Sequence, residues 1–185
     1  MAEYYEMKVA GLDRKLKKCP LNEKIDIAAF IMFGDVEVTV ESAKQLLPRC
    51  PEFDVIVTAE SKGIPLAYEL ARQSGKPYVV ARKSVKLYMR NVFSAEVRSI
   101  TTDHVQTLCL DGADAEYLKG KRVVIVDDVI STGESLRALE ALVEKAGGII
   151  CGRMAILAEG ESQNNPNLIY LEKLPLFNEK GEIIG

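Results

Sequence analysis

Two adjacent carboxylates, Asp127 and Asp128, stand between an apolar run, residues 123–126, and a loop of small polar residues, Ser131-Thr132-Gly133-Glu134-Ser135. Leu136, Leu139, Leu142 and Val143 follow at helical spacing. A strand that feeds a helix through such a loop leaves the first backbone N–H groups without intrahelical acceptors. Those donors and the helix dipole suit a phosphate. The hydroxyls of Ser131, Thr132 and Ser135 add donors, and the carboxylates one step earlier can accept hydrogen bonds from a sugar. The chemistry implied is recognition of a phosphorylated sugar. A plainer account also exists. Ser131 and Glu134 have the spacing of a capping box, which needs no ligand, and paired aspartates can end a strand in a solvated turn. That account explains a helix start. It does not explain two acids and three hydroxyls around one glycine.

Four apolar residues, Asp-Asp, two more apolar residues and Ser-Thr-Gly-Glu-Ser resemble the phosphoribosyl pyrophosphate (PRPP) signature of the type I phosphoribosyltransferases. Thr58-Ala59-Glu60-Ser61-Lys62-Gly63-Ile64-Pro65 resembles the pyrophosphate loop of the adenine and xanthine enzymes, and Ala81-Arg82-Lys83-Ser84-Val85-Lys86-Leu87 resembles their basic segment. The likeness covers about residues 30 to 160. It implies an enzyme of the glycosyltransferase class in purine salvage, with PRPP and a purine base as partners and a nucleoside 5'-monophosphate and pyrophosphate as products. Asp127 and Asp128 would be the catalytic pair at the ribose, and Ser131, Thr132, Gly133, Glu134 and Ser135 would take the 5-phosphate. Ser61, Lys62, Gly63, Arg82, Lys83 and Lys86 would take the pyrophosphate. Mg²⁺ would be delivered with PRPP rather than held by protein side chains. A homodimer is implied as well.

For the base, Ile31-Met32-Phe33-Gly34-Asp35 resembles the adenine enzymes' apolar-Phe-Arg-Asp stretch, with Gly34 in place of the arginine. Met32 and Phe33 are base candidates there; Phe33 can stack on a purine or equally serve as a core aromatic. Glu159 falls where the adenine enzymes carry an acid after the last core strand. A carboxylate accepts from an exocyclic amine and repels an anionic oxopurine, so adenine is the expected base. Ser99-Ile100-Thr101-Thr102 is closer to the xanthine enzymes, which keeps xanthine, guanine or hypoxanthine as the alternative. A regulator that binds PRPP without catalysis is a second class. Such repressors carry a DNA-binding domain ahead of the core, whereas only about fifty residues precede the Thr58–Gly63 loop here, and the hood needs them.

These groups must be positioned by alternating strands and helices. Apolar runs at 54–58, 78–81, 123–126 and 149–157 read as strands, and 38–47, 64–73, 113–119 and 134–146 as helices. Alternation of this kind gives an α/β fold, a mainly parallel sheet flanked by helices, with ligands beyond the carboxyl ends of the strands. Two short strands with a turn near Gly11 open the chain, and 168–177 with 182–184 reads as a hairpin around Asn178-Glu179-Lys180-Gly181. The 185 residues fit one domain, with a core at about 36–160 and a hood from 1–35 and 161–185. Alternation along a strand keeps Arg82 and Lys83 from facing one ligand together; Arg82 is favoured for PRPP and Lys86 for the pyrophosphate. Residues 84–107 read as a lid over the site or an ordinary two-stranded flap.

The net charge of −3 disfavours a nucleic-acid partner. The absence of a long apolar run or signal-like N-terminus points away from a membrane and toward a cytoplasmic protein. Cys19, Cys50, Cys109 and Cys151 have no metal or redox spacing, and His104 is the only histidine.

Overall fold

The computed structural model describes residues 3–98 and 105–184. The chain opens with β1 (Tyr4–Val9), β2 (Leu12–Pro20) and β3 (Ile25–Ala29), which form an antiparallel sheet in that order. The first tight turn passes through Ala10 and Gly11, both at positive φ. The chain then enters α1 (Val36–Leu46), capped by the Asp35 side chain, which accepts from Val38 N–H at 3.1 Å. A 3-10 turn at Leu47–Arg49 carries Pro48, so the helix stops where that proline begins to withhold its N–H.

The remaining elements follow: β4 (Val55–Ala59), α2 (Ile64–Ser74), β5 (Tyr78–Ala81), the antiparallel ribbon β6 (Phe93–Arg98) and β7 (Val105–Leu110), α3 (Gly112–Leu118), β8 (Arg122–Ile130), α4 (Glu134–Lys145), β9 (Ile149–Glu159), β10 (Ile169–Leu174) and β11 (Leu176–Asn178). The parallel strands lie in the order β10-β9-β8-β4-β5. From β4 the chain steps outward to β5, and from β8 it steps the opposite way to β9. The connections therefore diverge between β4 and β8, which opens a crevice at their carboxyl ends.

Period-two alternation gives the sheet two cores. Val123 and Ile125 join Leu108, Leu118, Leu139 and Leu142 on one face. Val124 and Val126 join Leu46, Leu66, Leu70 and the hood residues Phe30, Met32 and Phe177 on the other. Both sets are almost fully buried, so strand alternation and helix stripes fix the register together.

Three expectations need correction. Strand β9 is not the last of the core sheet, because Ile169–Leu174 pairs with it in parallel. Residues 168–177 are therefore not one arm of a hairpin. The chain leaves the core sheet at Leu174, and Leu176–Asn178 pairs antiparallel with β3 in the hood. Only the short return survives, with Ile184 N–H bonded to Leu176 O at 2.9 Å. The apolar run 168–177 gave no sign of a change of sheet. Strand β8 also runs through both aspartates to Ile130 instead of ending at Val126. Finally, Ser131 is not the cap of α4: Gly133, at φ 73°, is the N-cap and Glu134 is the first helical residue.

The expected lid, 84–107, overlaps the ribbon β6/β7, which runs on to Leu110 and is paired from Phe93↔Leu110 to Arg98↔Val105. Its root is tied to the core by Leu108 and Leu110 and by Lys145 Nζ bonding Ser94 O at 2.7 Å. Ser99, Ile100, Thr101, Thr102 and His104 lie outside the described residues.

Candidate active site

Strand β8 outruns its neighbour β4. Pairing between them stops at Val57↔Ile125, while β8 continues beside β9 to Ile130↔Ala158. Asp127 and Asp128 thus stand where β4 has turned away, and the Glu60–Gly63 loop fills the gap. The alternation that sends Val124 and Val126 to the hood side carries Asp128 the same way.

The loop lies directly on the aspartates. A Cβ placed on Gly63 would fall 2.8 Å from Asp127 Oδ1, 3.2 Å from its Cα and 2.3 Å from Thr58 Oγ1. Only a residue without a side chain fits this approach. The Lys62 ammonium sits 3.1 Å from Asp128 Oδ2, with half of the lysine side chain exposed and Asp128 only 2% exposed. The pair lacks hydrogen-bonding direction, so Asp128 Oδ2 remains a buried acceptor without a hydrogen bond. Burial pushes the Asp127 carboxyl above the ordinary carboxylate range, and the neighbouring Asp128 charge adds to this, with Lys62 opposing.

The basic segment gathers on a third strand end. Arg82 follows β5, and its backbone exchanges two 2.8 Å hydrogen bonds with Cys109. The Arg82 guanidinium lies 3.4 Å from Glu60, and the Lys86 ammonium 3.8 Å from the same carboxylate. Lys83 is exposed, and its backbone N–H, not its side chain, reaches Glu60 at 3.1 Å. Arg82 thus turns its side chain to Glu60, while Lys83 offers it only the backbone N–H. Hydrogen bonding by Lys83 N–H, followed by the Arg82 and Lys86 charges, holds the Glu60 carboxyl below its ordinary range against the opposing effect of burial.

Four buried side-chain polar atoms lack a hydrogen-bond partner among the described residues: Ser42 Oγ, Thr58 Oγ1, Arg82 Nε and Asp128 Oδ2. The last three belong to β4, to the end of β5 and to β8, at carboxyl ends of strands in one parallel sheet. A buried unpaired group costs about 1–3 kcal/mol. Three atoms without a hydrogen bond, Asp128 Oδ2 among them in its ion pair with Lys62, gather at one sheet edge.

The loop Ser131–Gly133 and the start of α4 enclose a cavity of about 60 Å³ that Asp127 and Ser135 also line. Arg137 braces this loop, bonding Thr132 O at 3.2 Å. On the far side Ser162 Oγ accepts from Glu159 N–H at 3.2 Å and donates to Ile130 O, tying the end of β9 to the end of β8.

Of the base candidates, Glu159 is half-buried at the end of β9, and burial raises its carboxyl above the usual range against the opposing charge of Lys62. It therefore shares the Lys62 neighbourhood. Met32 is 1% exposed and belongs to the hood-side core. Phe33 is 52% exposed, which removes the core-aromatic reading. Sequence reasoning assigned no role to Thr58, Glu60 or Arg137. Thr58 and Glu60 carried a signal as part of the segment that resembles the pyrophosphate loop.

A Phosphoribosyl transferase domain model matches residues 46–173. An adenine phosphoribosyltransferase of Acetivibrio thermocellus is 36% identical over 180 residues, covering 94% of each chain. A hypoxanthine/guanine phosphoribosyltransferase of Methanococcus maripaludis is 33% identical over 161 residues, covering 83% of each. Among solved structures, an adenine phosphoribosyltransferase from Thermoanaerobacter pseudethanolicus matches with a TM-score of 0.69 at 25% identity, over 85% of this chain and 95% of that one.

Proposed function

This chain belongs to the phosphoribosyltransferase family, and we propose that it transfers the 5-phosphoribosyl group of PRPP to a purine base, with adenine preferred, releasing pyrophosphate. The observation that carries this reading is the convergence of Thr58, Arg82 and Asp128, each with a buried polar atom that lacks a hydrogen bond, beside the phosphate-type loop of α4.

The reaction breaks the bond between the anomeric carbon and the pyrophosphate oxygen, which keeps the electron pair. A ring nitrogen of the base forms the new bond and sheds its proton. Positive charge grows on the sugar as the bond breaks, so positioning and electrostatics are the enzyme's work. Asp127 and Asp128 hold the ribose hydroxyls, and their field favours that charge. Ser131–Ser135 anchor the 5-phosphate. Lys62, Arg82 and Lys86 take the charge accumulating on the pyrophosphate. Among the described residues no group of three or more His, Cys, Asp or Glu side chains comes together as a metal cage. A divalent cation would arrive bound to PRPP, leaving Asp127 and Asp128 to the ribose hydroxyls. When bound, Mg²⁺ supplies further neutralisation of the leaving group. Two copies of the chain as a homodimer complete this reading.

Adenine preference rests on Glu159, whose carboxylate accepts from an exocyclic amino group and has no hydrogen to donate to an oxo group in its place. Separate incubations with PRPP, Mg²⁺ and each purine base test the whole reading. AMP formed fastest is expected. Faster IMP, GMP or XMP would overturn the adenine assignment, and no nucleotide from any base would overturn the transferase reading.

A further inference from the structure

Glu60 carries an anion into the region where the proposed reaction needs cations to be open. Its backbone N–H bonds Ala81 O at 2.8 Å, which fixes it beside the end of β5. Its carboxylate then collects the Lys83 backbone N–H at 3.1 Å, the Arg82 guanidinium at 3.4 Å and the Lys86 ammonium at 3.8 Å. Two cations and a backbone amide around one set of oxygens is also the donor set that binds a phosphoryl group. Arg82 and Lys86 are each about 30% exposed and Glu60 24%, so the cluster is open to solvent on one side and a solute can reach it.

Resting on the phosphoribosyltransferase reading, we infer that Glu60 is a resident counter-anion: in the free protein it occupies the place of one phosphoryl group of pyrophosphate, and pyrophosphate must displace it from Arg82, Lys83 N–H and Lys86. Glu60 acts through those groups and is a positioning residue. It keeps the cations assembled between turnovers. By competing for them it limits pyrophosphate affinity and hastens its departure, a step that limits many transferases.

The test is Glu60→Gln, which keeps the shape and removes the charge. Magnesium pyrophosphate is titrated by calorimetry into the wild-type and variant proteins at low and high salt. Competition predicts tighter binding in the variant by about threefold to tenfold, the range set by two partly exposed ion pairs. The gain should shrink as salt screens the cations. Glu60→Ala should shift affinity the same way, which keeps the test intact if the glutamine variant folds poorly. Affinity unchanged or weakened in both variants would overturn the inference, because Glu60 would then only arrange the cations. Failure of the wild-type protein to bind magnesium pyrophosphate would overturn the underlying reading, and it would be seen in the unmutated protein.

Discussion

Replacing Gly63 by alanine isolates how much the close approach of the loop to β8 matters. Gly63 has φ −73° and ψ −13°, a conformation alanine adopts freely. With space available, the change would stabilise the chain by about 0.4–1 kcal/mol through the unfolded state. Space is not available. The new methyl would lie 2.3 Å from Thr58 Oγ1 and 2.8 Å from Asp127 Oδ1, against about 3.3 Å for a tolerated C···O contact. Thr58 is fully buried and β-branched, so it cannot swing aside, and Asp127 Cα at 3.2 Å is backbone. The loop must lift by about 1 Å. Overpacking costs about 1–3 kcal/mol, which the entropy gain partly offsets. A net loss of about 1–2 kcal/mol corresponds to roughly 2–8 °C in Tm for a chain of this size. A 1 Å displacement of positioning groups costs about 100-fold in rate. The activity loss should therefore exceed what destabilisation explains. The assays are kcat/KM for PRPP and thermal unfolding of Gly63→Ala, Thr58→Ala and the double variant. Removing the Thr58 hydroxyl relieves the worst contact, so the double variant should recover part of the loss. A single variant within threefold of wild type, or a double variant no better than the single, would refute the packing argument.

Asp128→Asn should lower PRPP turnover by at least tenfold and release Lys62 from its 3.1 Å ion pair, with near-wild-type PRPP kinetics counting against the ribose assignment. For Asp127, whose carboxyl is raised by burial and by Asp128, the folded chain binds the proton more tightly than the unfolded one. Its stabilising contribution is full below about pH 3.9 and is lost as pH rises through the raised value. Asp127→Asn should flatten that fall in Tm, while an unchanged pH series would be contrary evidence. Activity should vanish in excess chelator and return with Mg²⁺, and turnover that persists in chelator would remove the substrate-borne metal. Asp35 caps α1 and receives Arg14 at 2.6 and 2.9 Å, so Asp35→Ala should cost about 1–3 kcal/mol in denaturant unfolding. A loss below about 0.5 kcal/mol would show that the cap and the pair contribute little.

The central sheet was legible because its strands are apolar runs that nothing but a two-sided core accepts. Residues 55–59 and 123–126 are buried throughout, and α2 and α4 end at glycines or apolar stops close to where periodicity places them. The site was legible where residue type and loop chemistry agree, at Asp127–Ser135 and Ser61–Gly63. What sequence did not convey depends on through-space neighbours. Thr58 and Asp127 both crowd Gly63 because the β4 pairing stops short along β8, a difference that no local pattern encodes. Glu60 finds Arg82 and Lys86 across two adjacent parallel strands. The exchange of residues 169–178 between sheets is hidden because one apolar run serves both partners equally well.

That exchange has a consequence for the order in which the molecule can be assembled. Among the described residues, the open edge of β3 is covered by residues 176–178, roughly 150 positions later in the chain. At a synthesis rate of about 5–20 residues per second, the edge emerges about 7–30 s before its partner exists. For that interval a strand with free N–H and C=O groups faces the crowded surroundings of the ribosome, the state most prone to pairing with another chain. The antiparallel sheet is therefore completed last, when residues 176–178 reach the β3 edge.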